Sequence, residues 1–152
     1  MIGHGVPGLN IRQQHDFPAP VQRIFAALTR EIDLWWPQAA RLTGPQGRLS
    51  LLPELGAALI ESGPGGAGAI WGQIDRIEAP VHLALSGTFG VPGAVMGRVW
   101  FDLAPLEVDG CRLTLVHQAI GPVSEDRAQQ HGRLWRQVLD ESLRAHLAGR
   151  PV

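Results

Sequence analysis

The sequence predicts an α+β domain. A curved antiparallel sheet of about six to seven strands wraps one long C-terminal helix, and two short helices follow the first strand. Three observations carry this expectation. Six strand-length runs follow one another between residues 48 and 120, separated by short turn-forming segments. Short connections join antiparallel neighbours, whereas parallel strands need long crossovers. A single strong helical stripe then closes the chain, and the only large apolar surface it can bury against is the concave face of the sheet.

The elements follow in chain order. Ile11, Gln13, His15 and Phe17 alternate with Arg12, Gln14 and Asp16, which marks a first strand. Pro18-Ala19-Pro20 ends it. Pro20 opens a helix, where its missing N–H costs nothing, and Val21, Ile24, Phe25 and Leu28 recur at helical spacing. A second short helix, Glu31 to Trp36, stops at Pro37. The strand runs are Arg48–Leu52, Ala57–Ser62, Ala69–Glu78, Val81–Phe89, Arg98–Leu103 and Cys111–Ile120. Gly63-Pro64-Gly65-Gly66, Gly90-Val91-Pro92-Gly93 and the hairpin signal Asp109-Gly110 are among the breaks between them. Leu83, Leu85 and Phe89 share one face, as do Val99, Phe101 and Leu103, and Leu113, Leu115, His117 and Ala119. Such alternation suits a sheet covered on one side. Ser124 caps the final helix, Glu125 and Asp126 suit its dipole, and it runs to about Leu147. Ala128, Trp135, Val138, Leu139, Ser142, Leu143 and Leu147 form its stripe.

The bulk properties narrow the function. The chain has 152 residues, a single-domain length, read here as one domain over 9–148 behind a loose leader over 1–8. Net charge is −1 and the thirteen basic residues, all arginine, form no stripe, so nucleic acid is not an expected partner. One cysteine, Cys111, excludes an internal disulfide and a cysteine-based zinc cluster. The start of the chain has no signal-like run and no segment is long and apolar enough to span a bilayer. The expected location is the cytoplasm.

Several strings, taken in order, carry a family resemblance. They are Ala19-Pro20-Val21, Trp35-Trp36-Pro37, Leu51-Leu52-Pro53-Glu54-Leu55-Gly56, Ile70-Trp71-Gly72-Gln73-Ile74, Glu78-Ala79-Pro80, the run Arg112 to His117 and the run Trp135 to Leu147. With the element order, they make the chain resemble the START-like helix-grip (SRPBCC) superfamily, and within it the homologues of the activator of heat-shock-protein ATPase. The resemblance covers about residues 9–148. It departs at Gly56-Ala57, where the family has paired glycines, and at Gly132, three residues before Trp135, where the family has a Gly-Trp pair. Lipid carriers, polyketide cyclases and plant allergens share this fold, so the resemblance implies a cavity and leaves the activity open.

Candidate ligand contacts are the residues whose parity or stripe turns them inward. They are Trp35, Trp36, Leu85, Phe89, Phe101, Leu115, His117, Trp135 and Leu139, with Met96 in a small-residue segment, Gly90 to Gly97, read either as a cavity lid or as an ordinary loop. The tryptophans suit a ligand wall and equally a plain core. Trp100 falls on the polar parity and is expected outside the sheet. His117 is read as a ligand contact or proton carrier, or as a buried histidine satisfied by one hydrogen bond. Glu61 either enters the cavity and pairs with an arginine or lies on a solvated strand edge. No spacing among the histidines suggests a metal, the run Gly63 to Gly68 lacks the ending of a phosphate loop, and no cofactor is expected. The leading expectation is a binding domain for an apolar or amphipathic small molecule, with a homodimer left open. The alternatives are a cyclase- or hydratase-like enzyme that uses His117 and a carboxylate, and a protein-interaction module like the chaperone activator.

Overall fold

The computed structural model describes residues 7–150. Seven strands form one antiparallel sheet: β1 Gly8–Phe17, β2 Arg48–Ser50, β3 Ala58–Ser62, β4 Gly68–Glu78, β5 His82–Ser86, β6 Met96–Leu106 and β7 Gly110–Ile120. Their spatial order is β1-β7-β6-β5-β4-β3-β2. Two short helices, α1 Val21–Leu28 and α2 Ile32–Trp35, follow β1. The C-terminal helix α3 begins as Glu125–Arg136, passes through a π-helical stretch, Gln137–Leu143, and closes with the α-helical turn Arg144–Leu147. Ser124 caps it, its hydroxyl accepting from the Arg127 N–H at 3.1 Å.

Strand register decides which side chains meet the helix. Leu85 pairs with Val99, Val99 with His117, and His117 with Ile11, so one inward row crosses four strands. The neighbouring row is Leu83, Phe101, Leu115 and Gln13. Every apolar member of both rows is buried, and Trp135, Val138, Leu139 and Leu143 of α3 are buried with them in one core. Alternation with a period of two puts these residues on a common face.

Polar ties seat α3 along the β1 side. Gln13 donates to the Gly132 carbonyl at 2.8 Å, His15 Nδ1 lies 2.8 Å from Asp140, and Arg144 donates to the Asp16 carbonyl at 2.9 Å. His146 meets Glu31 at 2.7 Å, tying the helix to the segment between α1 and α2.

The structure moves several expected boundaries. The first strand begins at Gly8 rather than Ile11, so the end of the expected leader belongs to the sheet; its first six residues lie outside the described ones. Gly8 lies against the backbone of β7, and a Cβ there would collide with the Ala119 carbonyl. β5 stops at Ser86, short of Phe89, because Gly87 passes so close to the Trp71 carbonyl that no side chain fits. β6 runs on to Leu106 through Pro105, which lies past Asp102, the partner of the first β5 residue, so no ladder donor is needed on that side. In the β6–β7 hairpin the left-handed residues are Val108 and Asp109, and Gly110 is already in the strand.

Candidate functional site

The space between sheet and helix is filled by rings. Trp36 lies 5.6 Å from Trp35, 5.4 Å from Trp71 and 5.9 Å from Trp135, measured between centroids. Phe89 and Phe101 each lie 6.0 Å from Trp135. These are ordinary separations for edge-to-face and tilted aromatic pairs. What remains open is a void of about 10 Å³ between Leu28, Trp36, Leu85, Phe89, Trp135 and their neighbours. A void of that size holds no more than about one water molecule.

His117 borders this cluster, fully buried on β7. Its Nδ1 accepts from the Trp135 indole N–H at 3.0 Å. An accepting nitrogen carries no proton, so the neutral ring bears its hydrogen on Nε2. That Nε2 has no hydrogen-bond partner among the described residues. Burial, and secondarily the charge of His131, push the His117 pKa down to about 4. His117 is therefore a neutral donor at neutral pH, surrounded by Phe89, Trp135 and His131 at about 6 Å.

Glu61 follows neither sequence expectation. It is fully buried, so it is not a solvated edge, and it pairs with no arginine. Its carboxylate accepts from the Leu42 N–H at 2.8 Å, from the Thr43 N–H and hydroxyl, and from the Trp71 indole at 3.0 Å. Burial pushes its carboxyl up, yet the bonds from Thr43, Leu42 and Trp71 outweigh that and hold it below the usual range. Periodicity could not foresee this, because the donors come from an irregular loop. Arg41 completes the arrangement. Its guanidinium spans Asp33 (2.6 Å) and the carbonyls of Gly47, Asp33 and Trp36, and Asp33 also accepts from the Leu49 N–H at 2.8 Å.

Of the expected ligand contacts, Trp35, Trp36, Leu85, Phe89, Phe101, Trp135 and Leu139 surround the void. Leu115 and His117 are buried in the same core without bordering it. Met96 is corrected: it is 80% exposed. It starts β6 on the parity of Arg98 and Trp100, so it faces away from the helix. Trp100 is half-buried on that outer face, with the Arg98 guanidinium 5.5 Å from its ring. Phe89 reaches the core by a route that alternation does not describe, from a loop residue at φ 47°. The Cys111 thiol is buried and pushed up to about 11 by desolvation, which leaves it protonated and unreactive. Among the described residues, no cluster of histidine, cysteine and carboxylate side chains could hold a metal, and no helix is long and apolar enough to cross a membrane.

The sequence model of the family described as "Activator of Hsp90 ATPase homolog 1-like protein" matches residues 18–148. The chain belongs to this family. Solved structures agree on the fold. Protein MLL2253 from Mesorhizobium loti superimposes with a TM-score of 0.71 at 16% identity, covering 94% of this chain and 99% of that one. CalU16 from Micromonospora echinospora gives 0.62 at 22% identity, covering 98% and 88%. DynU16, a protein of the dynemicin biosynthetic locus, gives 0.70 at 21% identity, covering 95% of this chain and 49% of that one. Identities this low establish a shared helix-grip architecture and nothing finer. No curated protein sequence matches the chain.

Proposed function

We propose that this family member is a binding domain for a flat apolar or amphipathic molecule, received between the sheet and α3 with His117 as its one polar contact. The observation that carries this reading is the unpartnered Nε2–H of His117 within an aromatic interior. A buried donor left without an acceptor costs about 1–3 kcal/mol, and a ligand oxygen placed there would recover it. The interior is closed in the present conformation, so binding requires rings to move. Phe89 is the side chain best placed to do so. It sits outside any strand in a left-handed conformation, which costs a non-glycine residue of order 1–3 kcal/mol.

Flavone, a flat molecule with one carbonyl, tests the reading by tryptophan fluorescence. Saturable quenching is expected. His117→Leu should weaken binding about tenfold, the worth of one hydrogen bond, and Trp100→Phe should leave it unchanged. No saturable response to flavone or palmitate sinks the proposal. The close packing of the interior would then favour the second reading, a protein-interaction module that acts through its surface. The enzymatic alternative needs a carboxylate beside His117, and the buried Glu61 carboxylate is held instead by Leu42, Thr43 and Trp71.

A further inference from the structure

A groove of about 360 Å³ opens where residues 39–42 and Gly90 face the first half of α3. Its volume falls in the usual range of small-molecule sites, and no ring has to move to reach it. Its walls combine apolar side chains, Leu42 and Leu134 among them, with Arg41, Arg127, Gln130 and His131, and no carboxylate lines it.

Two of these polar side chains are buried with unused hydrogen-bonding capacity. His131 is 7% exposed and makes no hydrogen bond or ion pair with any described residue. Its nearest polar ring is His117, 6.1 Å away between centroids. The Arg41 side chain is 6% exposed. Both its terminal nitrogens are engaged by Asp33, Gly47 and Trp36, while its Nε–H has no partner. Asp33 compensates the Arg41 charge at 2.6 Å. Arg127 makes no ion pair among the described residues, yet lies close enough for its charge to act on His131. The groove thus offers, beside apolar walls, one uncompensated positive charge and a histidine whose ring nitrogens meet no described residue.

We propose that this groove is a binding site for the carboxylate of a small aromatic or aliphatic acid, with Arg127 supplying the charge and His131 a directed hydrogen bond. A single carboxylate matches one uncompensated arginine, and its two oxygens match Arg127 and His131 as donors. The apolar walls select an acid with a hydrocarbon body over a bare inorganic anion. Burial, then the charge of Arg127, hold the free His131 imidazole below its ordinary pKa; a bound anion offsets the second influence and gives the ring a partner. The groove is open where the interior is closed, and His131 lies between them, 6.1 Å from His117.

Benzoate and its neutral isostere benzamide separate charge recognition from simple apolar contact. In the full-length protein, the His131 ring resonances should shift saturably with benzoate, with benzamide at least tenfold weaker and sodium chloride without effect at equal concentration. Arg127 is exposed, so Arg127→Gln should keep its urea midpoint while losing about tenfold in benzoate affinity and nothing in benzamide affinity. His131→Phe should weaken benzoate binding while Arg127 keeps part of the preference over benzamide. Equal response to benzoate and benzamide overturns the site, as does full benzoate affinity in Arg127→Gln.

Discussion

Glu61 and His117 are both fully buried polar side chains on strands of one sheet, and they are treated in opposite ways. Four donors converge on the Glu61 carboxylate, and a loop, a strand and an indole are fixed by doing so. His117 is held by one bond through Nδ1 and leaves Nε2 without a partner. A buried charge survives only when its partners are complete. A neutral imidazole can be left half satisfied, and a group so left is where a ligand gains most. The contrast separates a structural polar group from a candidate functional one without reference to any relative.

Loss of the Glu61 carboxylate should destabilise the fold more than loss of the His117 ring. Glu61→Ala strands the Leu42 and Thr43 amides and the Trp71 indole, and should cost about 4 kcal/mol in urea unfolding. A loss below about 1 kcal/mol would mean that water replaces the carboxylate and that the two sites are less different than they look.

Acid tests the His117 side. Its folded pKa of about 4 lies below that of an exposed imidazole, about 6.5, so the unfolded chain takes up the proton first. The stability associated with the neutral ring is whole above about pH 6.5 and is lost as pH falls toward 4, amounting to about 3 kcal/mol. His131, also lowered, adds to the loss in the same direction. Glu61, whose pKa is lowered, contributes stability present above about 4.5 and lost only below it, outside this window. Unfolding measured from pH 7.5 to 4.5 should therefore fall steeply, and His117→Leu should flatten the curve. A curve as steep in the variant would remove His117 as the cause.

Replacing both members of the His117–Trp135 pair, as His117→Leu with Trp135→Phe, removes donor and acceptor together and should cost no more than about 1 kcal/mol beyond the packing loss of Trp135→Phe alone. A far larger loss would show that the histidine is as structural as Glu61.

Much of this was legible in the residues. Alternation on β5, β6 and β7 placed Leu85, Phe101, Leu115 and His117 inward, and the stripe on α3 placed Trp135 and Leu139 against them. Ser124 announced its helix. The missed features share one cause, which is that they arise where regular periodicity stops. Met96 lies at a strand start whose parity cannot be read until the strand is extended back past Arg98. Phe89 enters the core from a turn, and the Glu61 partners Leu42 and Thr43 come from a loop with no repeat. The unused polar groups of Arg41 and His131 depend on what does not touch them, which no sequence pattern records.

The π-helical stretch Gln137–Leu143 also bears on which insertions and deletions this chain tolerates. Its ladder spans one residue more per bond than an α-helix, so it absorbs chain that a regular helix would have to carry forward. Deleting one residue there would let the α-helical ladder close, because the residue lost is the one the wide turns absorb. The flanking faces would keep their directions, leaving Arg144 on the Asp16 carbonyl and His146 on Glu31. The helix is anchored ahead of the stretch through Gly132 and behind it through Arg144 and His146. A one-residue deletion in the α-helical turns between these anchors would instead rotate one of them by about 100°. Single-residue deletions within the family should therefore fall inside the π-helical stretch, before Gly132 or after Leu147.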